Sequence, residues 1–185
     1  MGFGPLIMLV VGVFAGIGLM RLAALWSKYR GERVVTCPEN QRPAGVTLDA
    51  GHAAASGLGF RTDLRLSTCS RWPEKAGCGQ ECLSQIAAAP QDCLVRNILA
   101  KWYEGKSCRS CGRPIGPILA GAAHPAVRTA DKISVEWSEI PAEQLQDVLS
   151  ASQPVCFACH MASRTMREHP ELVTDRSART GRPGR

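Results

Sequence analysis

Large aromatic side chains are scarce in this chain, with four Phe, four Trp and two Tyr in 185 residues. Between Cys37 and Asp175 there are six: Phe60, Trp72, Trp102, Tyr103, Trp137 and Phe157. Proline and glycine interrupt the same region often. A core built from so little material buries limited apolar surface, so a covalent or metal staple is expected. Also missing are a GxGxxG fingerprint, a P-loop, an HExxH pair and a nucleophile elbow. No catalytic residues and no small-molecule substrate are identified, and a non-enzymatic role is expected.

A basic binding face is missing too, although the net charge is +6. Arg21, Lys28, Arg30 and Arg33, offset by Glu32, cluster near the N-terminal apolar run, while Arg176, Arg179, Arg182 and Arg185 crowd the tail. From Cys37 to Asp175, 14 Lys and Arg face 15 Asp and Glu, a net of −1. The basic pI therefore reports the flank and the tail, and no nucleic-acid partner is expected.

What is present at the N-terminus is an uncharged stretch from Phe3 to Met20, continuing past Arg21 through Leu22, Ala23, Ala24, Leu25 and Trp26. At about 1.5 Å per residue this crosses a hydrocarbon core of about 30 Å. A cleaved signal peptide fits less well, because the positive charges follow the apolar run instead of preceding it. Lys and Arg near a transmembrane end favour the cytoplasmic side, which predicts a single-pass protein of the cell inner membrane, N-terminus out and domain cytoplasmic. Trp26 is then placed at the interface, with Lys28 and Arg30 at the inner headgroups. Gly12 and Gly16 have the GxxxG spacing that lets two such helices approach.

The predicted fold class is α+β: a transmembrane anchor with its basic flank over 1–30, a cysteine-rich subdomain over 34–104, a second cysteine subdomain over 105–175 and a disordered tail over 176–185. The stretch 34–43 reads as a juncture in which Cys37-Pro38 opens a knuckle-like turn, followed by a short strand at Val46–Leu48, a small-residue flexible stretch from Gly51 to Gly59, and a strand over Leu64–Ser67. Apolar residues at 94, 95, 98, 99, 102 and 103 predict an amphipathic helix from Gln91 to Tyr103. A strand is expected at Ile133–Trp137, a helix from Pro141 ending before Pro154, and another from about Cys156 to His169.

Nine cysteines carry the chemistry. In the reducing compartment that the topology predicts, metal binding is favoured over disulfides. Cys108 with Cys111 and Cys156 with Cys159 form two CxxC pairs separated by 44 residues. Two residues between thiols let both sulfurs face one ion, Gly112 lets the backbone double back, and two pairs supply the four ligands of a structural zinc site. Cys69, Cys78 and Cys82, completed by Cys37 or else by Cys93, are candidates for a second four-thiol site, for zinc or an iron–sulfur cluster. The alternative is that some are ordinary buried thiols, Cys93 above all. His52 and His124 read as surface histidines, and Trp72, Trp102 and Trp137 as core.

The run CRSCGRPIG, from Cys108 to Gly116, resembles the first half of the DksA/TraR type of zinc finger. In that family a second CxxC opens a helix, as Cys156 is expected to do. The resemblance implies these four cysteines as ligands in a treble-clef-like arrangement. It implies no transcriptional role, since the coiled-coil part of that family is missing and the insertion between the pairs is long. A competing reading takes Cys156, Cys159 and His160 as CxxCH, the attachment motif of haem c, with Met161 or Met166 as the distal ligand. Against it stand the cytoplasmic topology, the matching CxxC pair, and the adjacency of Met161 to His160; His160 is then a plain helical residue. The expected function is a membrane-anchored, zinc-binding interaction or assembly protein that meets another membrane or cytoplasmic protein, and the alternative is electron transfer through a cluster or haem. Thiol redox chemistry ranks lower, because neither CxxC has a thioredoxin-like strand-to-helix context.

Overall fold

The computed structural model describes residues 3–59, 61–75, 77–118, 125–131 and 133–172. Phe60, His124 and the tail after Asp175 lie outside the described residues. By backbone contacts the chain divides into two units, Met1–Lys101 with Pro141–Leu145, and Trp102–Ile140 with Gln146–Arg185.

In the first unit, helix α1 (Phe3–Tyr29) carries the apolar run. Its stretch Ile7–Tyr29 contains an 18-residue window of mean hydropathy 2.2 and is long and apolar enough to cross a membrane. Large apolar side chains stand bare along it, Met8 at 76 % and Phe14 at 71 % exposure. The helix stops where Arg33 folds back onto its last turn. Arg33 is fully buried, its Nη1 donating to the carbonyls of Tyr29 at 2.7 Å and Gly31 at 2.8 Å, and its Nη2 to Lys28 at 2.8 Å. A helix C-terminus leaves carbonyls without intrahelical donors, and a cation there also complements the helix dipole. Gly31, at φ +99°, supplies the left-handed step that turns the chain.

Strands β1 (Glu32–Thr36), β2 (Pro43–Leu48) and β3 (Leu66–Cys69) form an antiparallel sheet in the order β1-β2-β3. Val34 sits opposite Gly45, and Val46 opposite Cys69. Val35, Val46, Leu48 and Leu66 make the core with Ala53 of α2 (Ala50–Gly57) and Ile86 of α3 (Leu83–Ala88). The free edge of β1 is covered, because the Val34 N–H donates to the Cys93 carbonyl at 2.8 Å and Arg33 bridges Leu94. Arg33, Val34 and Val35 are consequently all buried. Alternation, the usual strand signature, is lost, which is why 34–43 reads as a juncture in sequence although β1 lies there.

The stretch from Gly51 to Gly59, expected to be flexible, is mostly helix α2. Asp49 caps it, Oδ1 accepting from the His52 N–H at 2.9 Å. Ala53 and Ala54 are buried, and Gly57 lies so close to Leu25 of α1 that a Cβ there would stand 2.6 Å from Leu25 Cδ1. Small residues here permit a close helix–helix approach. The strand expected over Leu64–Ser67 lies slightly later, as β3. Helix α4 (Val95–Tyr103) begins four residues after Gln91, because 91–94 form the turn that covers β1.

The second unit holds β4 (Ala126–Arg128), β5 (Ser134–Glu136) and β6 (Gln153–Val155), antiparallel in the order β5-β4-β6. The strand expected to reach Trp137 ends at Glu136, where a 3-10 turn starts. Past Pro141 the chain makes one 3-10 turn before α5 (Leu145–Ala151), and α6 (Phe157–Glu168) ends before Pro170. Helices and antiparallel sheets are thus mixed along the chain.

Candidate metal centre

The first pair of thiols is presented by a tight turn. The Cys108 N–H donates to the Arg113 carbonyl at 2.8 Å, and the Gly112 N–H returns to the Cys108 carbonyl at 2.9 Å. Gly112 has φ +72° with open space beside it, so conformation and not room selects glycine there. The Arg109 N–H holds the turn against β6 through the Pro154 carbonyl at 2.8 Å. The second pair lies where β6 ends, Cys156 being the extended residue before α6 and Cys159 falling in its first turn.

These elements bring all four sulfurs within 4.8 Å of one another. Cys111 and Cys156 Sγ are 3.8 Å apart, and the Cys156 N–H donates to Cys108 Sγ at 3.3 Å. Four ligands about 2.3 Å from a tetrahedral ion stand about 3.8 Å from each other, so the spacing fits a zinc-sized ion. Among the described residues this is the one group of three or more metal-ligand atoms drawn that close. Burial pushes the Cys108 thiol up, but N–H donors from Cys156, Cys111 and Ser110 outweigh it and hold the thiol down to about 6. Cys159, hydrogen-bonded to Cys156, Cys111 and Cys108, is pushed up to about 12.

His160 follows directly but turns away from solvent. It is 2 % exposed, its Nδ1 lies 3.1 Å from Ser134 Oγ on β5, and its Nε2 is buried with no hydrogen-bond partner. Met161 and Met166 are exposed. Nothing in the sequence pointed to Ser134 as the partner of this histidine.

Cys37, Cys69, Cys78 and Cys82 line one cavity of the first unit. No three of their sulfurs approach as closely as those of the first quartet. Cys93 does not line that cavity; its Sγ lies 3.6 Å from the Ala89 carbonyl oxygen. His52 pairs with Asp63 at 2.8 Å on the surface, and Trp72 packs against the core. Trp102 stacks edge-on with Tyr103, with the Lys106 ammonium over its ring. Arg71, which donates to Cys37 Sγ at 2.9 Å, is a residue that sequence reasoning passed over, since no motif marks it. No protein-family model, curated protein or solved structure matches this chain.

Proposed function

We propose that this is a single-pass membrane protein whose Cys108, Cys111, Cys156 and Cys159 hold one zinc ion as a structural staple, and that its soluble part serves as a non-enzymatic docking or assembly module on the cytoplasmic side of the inner membrane. The observation that carries the reading is the convergence of the four sulfurs. Four thiolates fill a tetrahedral shell and leave no position for substrate or water, which is the mark of a structural site. A CxxC turn followed by a CxxC at a helix start is also what the local likeness to the DksA/TraR finger implies. The bare apolar length of α1, followed by Lys28 and Arg30, supports the anchor and its orientation. A near-neutral soluble part supports a protein partner over a nucleic acid.

Haem c at Cys156, Cys159 and His160 is the weaker reading. Both thiols stand in the quartet, and His160 is buried with Nδ1 against Ser134. Metal analysis of the full chain purified in detergent tests the proposal: zinc that is lost in Cys111→Ser supports it, and a visible haem spectrum that is lost in His160→Ala replaces it.

A further inference from the structure

The turn that presents Cys37 repeats, bond for bond, the turn that presents Cys108. The Cys37 N–H donates to the carbonyl five residues on, Arg42, at 2.9 Å, as Cys108 does to Arg113 at 2.8 Å. The N–H four residues on, that of Gln41, returns to the Cys37 carbonyl at 2.9 Å, as that of Gly112 returns to Cys108 at 2.9 Å. Gln41 has φ +56° where Gly112 has +72°. A glutamine adopts that left-handed conformation only at a cost, so the surrounding bonds must hold the turn in this shape. The two turns share one backbone shape, the shape that presents Cys108 to its quartet, and the Cys37 turn lacks only the second cysteine.

Other thiols stand ready around it. Cys69 at the end of β3, Cys78, and Cys82 ahead of α3 line the same cavity, whose volume is about 130 Å³. Arg71 donates to Cys37 Sγ at 2.9 Å and brings a fixed positive charge to a group of sulfurs. Trp72, whose indole Nε1 is buried with no hydrogen-bond partner, lines the cavity as well.

We propose that Cys37, Cys69, Cys78 and Cys82 form a second four-thiolate centre that takes a thiophilic metal, independent of the quartet in the other unit. Either a zinc ion or the iron of an iron–sulfur cluster satisfies four thiolates.

Cobalt(II) titration of the full chain in detergent, followed by the thiolate-to-metal charge-transfer band, counts the centres. The wild-type chain is expected to take two equivalents, and Cys93→Ser also two. Cys78→Ser, in an irregular segment with no helix or strand to break, is expected to take one. Metal loading should also slow alkylation of Cys37, Cys69, Cys78 and Cys82 at least tenfold while leaving Cys93 unprotected, a readout that needs no variant to fold. Iron and sulfide in anaerobically purified protein assign a cluster, and two equivalents of zinc assign an ion; both support the second centre. One equivalent in the wild type, lost in Cys111→Ser and kept in Cys78→Ser, overturns it and leaves the first quartet standing.

Discussion

Arg33 Nη1 and the Tyr29 carbonyl are joined by a 2.7 Å hydrogen bond across the end of α1. The guanidinium is wholly buried and serves two further carbonyls, those of Gly31 and Lys28, so removing it takes a charged donor from three acceptors at once. Arg33→Met is expected to cost about 2–4 kcal/mol, read as a lower urea midpoint of the full chain in detergent. A variant as stable as wild type would show that water replaces the guanidinium at no cost.

Asp49 is held below the usual carboxylate range by the His52 backbone N–H and then by Arg65, whose Nη2 lies 2.6 Å from Oδ2. A depressed folded-state value means the unfolded chain takes up the proton first as pH falls. The contribution is therefore complete above about pH 5 and is lost as pH drops through the folded value. The difference in thermal midpoint between wild type and Asp49→Asn should be constant near neutrality and shrink in acid.

Each of Cys108→Ser, Cys111→Ser, Cys156→Ser and Cys159→Ser should lower bound zinc and destabilise the second unit by more than about 3 kcal/mol, because ion binding is coupled to folding in such sites. The four should behave alike in zinc content and melting. A single tolerant position among them would point to a three-thiolate site.

His160→Ala should cost about 1–3 kcal/mol through the lost contact with β5 and the cavity it leaves, without altering the visible spectrum. Circular dichroism melts and an absorbance scan of the same sample check both halves.

A reporter enzyme fused after Arg185 should be active only in a form that works in the cytoplasm. Activity of a periplasm-dependent reporter there would reverse the orientation and remove the argument from reduced thiols.

The apolar length of α1, the two CxxC pairs and the helix over Val95–Tyr103 were legible because each rests on local spacing. Where contacts distant in sequence decide the structure, the reading failed. β1 lost its alternation to the cover from Cys93 and Leu94, and α2 hid in a run of small residues because its helix depends on the Asp49 cap and on Leu25 across Gly57. A knuckle-like turn opening at Cys37-Pro38 was legible, but its likeness to the Cys108 turn was not: the first has glutamine where glycine is the usual signal, and a single cysteine where a pair is expected.

The quartet joins Cys111 to Cys156, residues 45 apart in sequence, through sulfurs 3.8 Å from one another. An ion held there closes the intervening chain into a ring that does not depend on the continuity of its backbone. One proteolytic cut inside that ring would then yield two fragments that migrate together under native conditions and separate once a chelator strips the metal, so cleavage in this region need not mean loss of the assembled unit.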